Sequence, residues 1–204
     1  MSNLDKLNTY FEQFPGVGGR QARRFSFHIL TLPKADVTEI ARLITSLQDN
    51  VTECHSCHRF FSQNGKATEC NICSDPNRDT TELLVVERDS DIIPIERSGV
   101  YNGLYFVLGG KVPLLESKEA NKLRSGALRA IVQDRVKSGL KEIVLAFAVN
   151  PDGENTTRYI EKLLQTEVEE NKLTVSQLGR GLSTGSELEY ADPETIKSAW
   201  KNRG

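Results

Sequence analysis

Four cysteines stand in two equally spaced pairs with twelve residues between them, Cys54-x-x-Cys57 and Cys70-x-x-Cys73. Each pair can hold one edge of a tetrahedral ion through thiolates at ~2.3 Å, and two pairs fill the shell without an open position. The spacing therefore predicts a structural zinc site with one Zn²⁺ per chain. A redox dithiol pair and plain packing are the alternatives, although neither gives a reason for two pairs of equal spacing. His55 and His58 could each replace a neighbouring thiolate, but we expect both to point outward.

A glycine-rich turn at residues 14–20, FPGVGGR, stands between two segments of helical spacing. Gly16 and Gly18 permit a sharp bend that brings unpaired amides at the start of the second helix up to a phosphate. Arg20 and Arg24, four residues apart, share the helix face beside that anion site. The turn is typical of a helix-hairpin-helix, and an ordinary turn with a solvated basic face is the alternative. A dinucleotide-binding turn is excluded because no strand precedes it and position 21 is Gln.

Acidic residues follow two of the apolar runs that we interpret as strands. Glu87 comes directly after the first run, and Asp152 and Glu154 come after a later one. Open α/β sheets bind ligands at the carboxyl ends of their strands, where such carboxylates could hold Mg²⁺. The alternative is that they are loop and helix-start residues favoured by the helix dipole.

The N-terminal region has the period of amphipathic helices. A second helix is expected at about residues 20–30 and a third after Pro33, where Asp36 and Glu39 resemble a capping box. The predicted inward residues are Leu4, Leu7, Phe11 and Phe14 in the first helix, and Ala22, Phe25, Ile29 and Leu30 in the second. Three short helices form a weak core, so we expect the four-cysteine segment 54–79, the knuckle, to brace them.

From Leu83 onward, apolar runs alternate with helical segments. The predicted strands are 83–86, 104–108, 143–147 and 174–178, and the predicted helices are 91–97, 121–138, 155–170 and 193–201. This alternation indicates a mostly parallel sheet flanked by helices. Within the cysteine region, Asn64-Gly65 is a turn pair that favours a tight hairpin.

Composition and charge restrict the class of protein. Of 204 residues, 38% are hydrophobic and 26% are charged, a mixture that excludes disordered, collagenous and membrane proteins. The N-terminal residues lack the order of a secretory signal, so we expect a cytoplasmic protein with reduced cysteines. The net charge of −2 excludes nucleic-acid binding through the overall field. Residues 1–34 carry five basic and two acidic residues, a balance of +3, so any phosphate contact is expected there.

The order of these motifs resembles the RecR family of bacterial recombination mediators along nearly the whole chain. The resemblance is carried by FPGVGGRQARRFSFHIL at 14–30, CSDPNRD at 73–79, VVERDSDIIPIERSGVYNGLYFVLGG at 85–110 and GRGLSTGSELEYADPET at 179–195. It implies an α/β multidomain protein: a helix-hairpin-helix domain at 1–53, a four-cysteine zinc finger at 54–79, a Toprim domain at 80–175, and a Walker B-like segment with a helix at 176–204.

The resemblance also implies that the Toprim domain is not catalytic. Glu87 matches the glutamate that ends the first Toprim strand, and Asp152-Gly153-Glu154 aligns with a later acidic motif. Ala148 and Asn150 then stand where Toprim enzymes have two aspartates. The catalytic metal site is therefore broken, and we expect no enzymatic activity. Phe106, where the family commonly has His, and the segment 111–123 depart from the family pattern.

The function implied is that of a bacterial, nucleoid-associated mediator of DNA repair and recombination. The family binds gapped, single-stranded and double-stranded DNA, and works with RecO and RecF to load RecA onto DNA coated by single-strand-binding protein. Gly16, Gly18, Arg20 and Arg24 match the DNA-binding region, and a ring-shaped homotetramer is expected. The alternatives are a metal-dependent Toprim enzyme acting on DNA and a zinc-knuckle interaction module without DNA binding.

Overall fold

The computed structural model of the chain describes residues 1–63, 65–113, 123–179, 181–182, 185 and 187–201. It divides into two compact units, Met1–Thr52 and Glu53–Gly204. The four-part division at 53/54, 79/80 and 175/176 stays a prediction. None of the helices in these ranges is both long and apolar enough to cross a bilayer.

The N-terminal unit contains three helices: α1 (Asn3–Glu12), α2 (Gly19–Thr31) and α3 (Lys34–Asn50). Ser2 caps α1 in a reciprocal box with Asp5, which satisfies two otherwise unpaired amides. The ring of Phe11 meets those of Phe14 and Phe25 edge-to-face, each at 5.8 Å. These aromatic contacts hold α1 against α2 and fix the turn between them.

Two details of the predicted helices were wrong. Asp36 does not cap α3: the helix begins at Lys34 with Pro33 in the capping position, and Asp36 lies inside the first turn. A proline is well suited to this position because it has no amide hydrogen to leave unpaired. Three residues expected to point inward are exposed: Phe14 at 55%, Phe25 at 37% and Leu30 at 69%. The buried residues of α2 are Ala22 and Ser26, one helical turn apart, so its buried stripe is narrow.

The second unit begins with the cysteine region and continues into a parallel sheet. Strands β1 (Val51–Glu53) and β2 (Phe60–Ser62) form a two-stranded sheet. The predicted Asn64-Gly65 turn includes Asn64, which lies outside the described residues. Strands β3 (Asp79–Val86), β4 (Gly103–Val107), β5 (Glu142–Ala146) and β6 (Thr174–Gln177) form a four-stranded sheet in the order β4-β3-β5-β6. All three strand pairs are parallel, which confirms the predicted sheet.

The connecting helices are α4 (Asp89–Ser98), α5 (Ser125–Lys137) and α6 (Pro151–Asn171); a short 3₁₀ turn (Leu188–Tyr190) and α7 (Pro193–Lys201) follow. Helix α5 begins later than predicted, and residues 121–122 lie outside the described part. Helix α6 begins four residues earlier than predicted, because Asn150 caps it and Pro151 occupies its first position.

The sheet has a separate core on each face because successive side chains of a strand point to opposite sides. Leu83 and Val85 of β3 face one core, which packs against α5 and α6. Leu84 and Val86 face the other, which contains Cys54, Cys57, Cys70 and Ile72 of the cysteine region. The knuckle therefore braces the α/β unit, and the expectation that it braces the N-terminal helices stays a prediction.

A buried carboxylate joins α5 to α6. Glu167 is 4% exposed and accepts hydrogen bonds from Arg129 Nε at 2.6 Å and Gln133 Nε2 at 2.8 Å. Burial alone would raise the pKa of Glu167, but these two hydrogen bonds outweigh it and lower the pKa below its usual value of 4.5.

We expect Glu167→Gln to lower the free energy of unfolding by about 1–2 kcal/mol at pH 7, a small value for a buried pair because Arg129 is half-exposed. The loss should be complete above pH 4.5 and should shrink as the pH falls through the lowered pKa of the folded state, since the carboxylate is then protonated in both states. Urea unfolding at several pH values measures it. Glu169→Gln, at an exposed position of the same helix, is the control; an equal loss in both variants at every pH would contradict the assignment.

Candidate functional site

The four cysteine sulfurs converge on one point. The Sγ atoms of Cys54, Cys57, Cys70 and Cys73 all lie within 4.8 Å of one another, and the first three residues are fully buried. Cys57 Sγ and Cys70 Sγ are 3.7 Å apart. Four thiolates at ~2.3 Å from a tetrahedral ion are about 3.8 Å apart, whereas a disulfide requires about 2.05 Å. The four cysteines are thus positioned to bind a metal ion.

Local backbone contacts shape this centre. Cys54 N donates to Arg59 O at 2.8 Å, and His58 N donates to Cys54 O at 2.9 Å, which closes the first C-x-x-C pair into a tight turn. His58 takes the left-handed conformation, with φ of 60°, to complete the turn. Cys70 N donates to Cys54 Sγ at 3.3 Å, so the second pair is tied to a sulfur of the first.

The ionisation of each cysteine thiol depends on the other three. Hydrogen bonds from Cys57, Cys70 and Cys73 lower the pKa of Cys54. The hydrogen bond with Cys54 raises the pKa of Cys57 and of Cys73. Negative charge on one sulfur therefore opposes ionisation of its neighbours, and a cation bound between the sulfurs would allow all four to be thiolates at once.

The two neighbouring histidines are not part of the cluster. His55 is exposed. The Nδ1 atom of His58 contacts the Glu53 carboxylate, and its ring packs edge-to-face on Phe106 at 5.2 Å. Among the described residues, the four cysteines are the one group of three or more Cys, His, Asp or Glu side chains that could hold a metal.

Long-range hydrogen bonds fasten the knuckle to the sheet. Val107 N at the end of β4 donates to Cys57 O at 2.8 Å, and Phe60 N donates to Asp89 Oδ1 at 2.6 Å. Arg124 donates to Glu53 Oε2 at 3.0 Å and to the Val107 carbonyl at 3.2 Å. The knuckle is therefore joined to both β4 and the start of α4.

The acidic Toprim positions lie at the carboxyl edge of the sheet, each beside a cation. Glu87 directly follows β3 and pairs with Arg88 at 2.8 Å. Asp152 and Glu154 lie in the first turn of α6, where Asp152 pairs with Lys111 at 2.6 Å and Glu154 with Arg158 at 3.8 Å. Within the described residues these carboxylates belong to no group of three or more ligand side chains that could hold a metal.

The residues between β5 and α6 have a structural role that excludes a second ligand pair. Ala148 has no ligand atom in its side chain, and Asn150 Oδ1 accepts a hydrogen bond from Gly153 N at 2.8 Å as the cap of α6. The side chains at the Toprim acidic positions thus do not fit a catalytic Mg²⁺. Asp152 and Glu154 have the geometry of helix-start residues, the alternative that the sequence left open.

The glycine-rich turn leaves the start of α2 open. Gly16 has a φ of +78°, which suits glycine, and Gly18 is the cap residue of α2 with no side-chain hydrogen bond to the helix amides. Arg20 and Arg24 are exposed, as is Arg23, which the sequence analysis did not select although it lies on the same face. None of the three forms an ion pair with any residue in the described ranges. The carboxylate of Glu12 lies nearby: a methyl group added to Gly19 would be 2.9 Å from its Oε1.

The C-terminal segment borders a groove of about 770 Å³ beside β5 and the residues that follow β6. Asp192 faces this groove and accepts hydrogen bonds from Thr195 N and Oγ1 at 3.0 and 2.6 Å, so it stabilises the start of α7. Arg180, Ser183, Thr184 and Ser186 of the predicted Walker B-like stretch lie outside the described residues.

Sequence reasoning missed two residues that organise the site, Lys111 and Arg124, and it did not predict that Asp89 accepts a hydrogen bond from Phe60. Their partners are far away in the sequence, so no local spacing identifies them. Arg23 could have been found, since its three-residue distance from Arg20 places it on the same helix face.

Gly153→Ala should destabilise the second unit by about 1–3 kcal/mol or more, because an added Cβ would lie 1.9 Å from the backbone oxygen of Ala148. Gly126→Ala in α5 is the matched control: its Cβ would meet no atom within 4 Å, and alanine should stabilise the helix by up to about 1 kcal/mol. Chemical unfolding measures both. Equal stability of the two variants would show that the β5–α6 turn does not need this close approach.

Comparison with known proteins identifies the family to which the chain is similar. The Toprim domain family matches residues 81–179, and the RecR C-terminal family matches residues 181–203. Recombination protein RecR of Pediococcus pentosaceus is 36% identical over 203 residues, 98% of this chain and 96% of that protein. The proteins of the same name from Leifsonia xyli subsp. xyli and Legionella pneumophila (strain Corby) are 35% and 32% identical, over 94% and 100% of this chain and 91% and 98% of their own lengths. The predicted Toprim fold is thereby confirmed, and the chain belongs to the RecR recombination protein family.

Proposed function

We propose that this protein is a non-enzymatic mediator of DNA recombination and repair. It binds gapped, single-stranded and double-stranded DNA and, with RecO and RecF, promotes loading of RecA onto DNA coated by single-strand-binding protein. The observation that carries the proposal is the exposed arginine face of α2 beside an open helix start, in a chain whose relatives are named for recombination along nearly its whole length.

The DNA contact is proposed at the hairpin of residues 16–24. Amides at the start of a helix and its positive dipole end favour a phosphate. Gly16 and Gly18 keep side chains away from this point, and Arg20, Arg23 and Arg24 supply cations that no described side chain neutralises. Such contacts reach the backbone rather than base edges, so binding should depend little on sequence.

A ring-shaped homotetramer would multiply these contacts and offset the net charge of −2 per chain. Self-association is supported by the apolar stripe of α3. Ile40, Leu43, Ile44 and Leu47 recur at helical spacing and are 40, 50, 62 and 57% exposed. Such a contiguous apolar face is typical of a protein interface.

The non-enzymatic part of the proposal rests on the acidic edge of the sheet. A Toprim enzyme would need carboxylates that converge on Mg²⁺, whereas here Ala148 and Asn150 replace two of them and each remaining carboxylate has a cationic neighbour. The protein is therefore proposed to use the Toprim domain as a scaffold.

The metal of the four-cysteine centre is proposed to be a structural Zn²⁺, one per chain. Four thiolates in a closed tetrahedral arrangement suit zinc, and they leave no coordination position for chemistry. The resident ion would hold residues 54–73 in the shape that packs on the sheet.

Purified protein should contain one zinc per chain, and Cys57→Ser or Cys70→Ser should lose the ion and unfold the knuckle, because structural zinc contributes on the order of 10 kcal/mol. Elemental analysis with thermal melting measures both effects. His55→Ala is the control and should retain the ion. A metal-free wild-type protein with the same melting temperature as the loaded one, or full zinc content in both serine variants, would contradict the proposal.

Replacement of Arg20 and Arg24 by Ala should weaken DNA binding and flatten its salt dependence. Log affinity changes with log salt by ~0.9 per phosphate contact on duplex DNA and by ~0.7 on single strands, so a ring should lose several units of slope. Fluorescence anisotropy with gapped DNA at several salt concentrations gives the slope. Arg42→Ala is the matched control, since Arg42 is an exposed arginine of the same unit already paired with Glu39 at 2.7 Å.

Glu12→Gln should act in the opposite direction, because its carboxylate lies beside the proposed phosphate position. DNA affinity should increase several-fold at low salt, and Glu39→Gln should have a smaller effect. Zinc content and oligomer mass should be unchanged in every variant. A double arginine variant with the wild-type slope would mean that the hairpin is only a structural turn.

A further inference from the structure

A Toprim fold implies a divalent cation at the edge where β3 and β5 end, yet this chain has lost the carboxylates that would complete the site. Glu87 and Asp152 still lie at that edge, so their negative charges need a counter-charge from another source. We infer that Lys111 is an internal counter-ion that takes the place of the divalent cation and holds the chain after β4 against α6.

The ammonium group of Lys111 makes direct contact with the acidic edge. Its Nζ atom lies 2.6 Å from Asp152 Oδ2, with both side chains about one-third exposed. The hydrogen bond with Asp152 raises the pKa of Lys111 and burial lowers it, while the nearby charge of Glu87 raises the pKa and that of Arg88 lowers it. The direct contact of the lysine is thus with Asp152, one of the two carboxylates at this edge.

The backbone beside Lys111 is held in place by α6. Val112 N donates to Thr156 Oγ1 at 2.9 Å, and that hydroxyl donates to Asp152 O at 2.7 Å. Asn155 Nδ2 donates to the Val112 and Pro113 carbonyls at 3.3 and 3.2 Å. The lysine is thus directed to Asp152 by a built contact between two segments about forty residues apart, unlike a flexible surface lysine.

The negative charge of Glu87 is balanced by a different cation, its neighbour Arg88, at 2.8 Å. Its side chain is only 13% exposed, so a counter-charge is needed there more than at the surface. With Lys111 on Asp152 and Arg88 on Glu87, a hydrated divalent ion would have to displace a tethered cation to bind. The protein should consequently be indifferent to Mg²⁺.

The test measures the melting temperatures of zinc-loaded, full-length wild type, Lys111→Gln and Lys137→Gln. Each protein is melted in three buffers: one without divalent ions, one with about 10 mM MgCl₂, an order-of-magnitude excess over weak protein sites, and one with NaCl at the same ionic strength. Lys137 is the control, because it also pairs with an aspartate, Asp134 at 3.5 Å, but both side chains are about three-quarters exposed. No DNA is involved, so the result is independent of the proposed function.

Lys111→Gln should melt several degrees below wild type without Mg²⁺ and should recover part of that loss in MgCl₂ but not in NaCl. Wild type and Lys137→Gln should show no Mg²⁺-specific shift. The inference is overturned if wild type gains as much from Mg²⁺ as the variant, or if Lys111→Gln melts like wild type. A lower melting temperature without any response to Mg²⁺ also overturns it, since Lys111 would then be a latch and not a cation substitute.

Discussion

The packing of the four-cysteine knuckle on one face of the parallel sheet is the contact on which the second unit depends. A parallel strand such as β3 is apolar on both sides, so both sides must be covered. Helices α5 and α6 cover one face, whereas Ile72 and the cysteines join Leu84 and Val86 on the other. The described residues of the knuckle have little regular secondary structure, so an ion held by the four sulfurs would fix its shape. Metal binding would then also stabilise the sheet.

Residues near the carboxyl edge of the sheet attach the knuckle to the sheet. Asp89 follows the first Toprim strand, where an enzyme would present carboxylates to a metal, yet here it accepts a hydrogen bond from β2 of the knuckle. Arg124 connects Glu53 to the end of β4 in the same way. Side chains at the ligand-binding edge have thus become attachment points, and Lys111 supplies the charge that a metal would otherwise bring. The carboxyl edge of the sheet is thus occupied by contacts between side chains of the chain itself.

The N-terminal unit differs from the second unit, because many of its basic and apolar side chains are exposed. Its described core is small, with Ala22 and Ser26 as the buried residues of α2 and none in α1 or α3. Arg20, Arg23 and Arg24 have no ion-pair partner among the described residues, and the apolar stripe of α3 is exposed. A unit of this kind gains much of its stability from what it binds, which suits a protein proposed to act as a ring on DNA.

Features that depend on short spacing could be predicted from the residues alone. Two C-x-x-C pairs indicate a metal centre because ligands three residues apart meet at one ion, and the 3.6-residue and two-residue periods indicate helices and strands because each period matches one face of the element. The glycines of the hairpin and the arginines beside it could be found for the same reason. The start of α6 was predicted four residues too late because Asn150 caps the helix and Pro151 occupies its first position.

The fold sets which side chains meet at the sheet edge and which face of the sheet the knuckle covers. Lys111 and Asp152, Phe60 and Asp89, and Arg124 and Glu53 are separated by 41, 29 and 71 positions, and no pattern within one segment records such pairs. They arise because the crossovers of the sheet bring the ends of β3, β4 and β5 to a single edge. The role of a side chain there, as metal ligand, helix cap or counter-ion, depends on the neighbours that this topology provides, and those neighbours are set by the path of the whole chain.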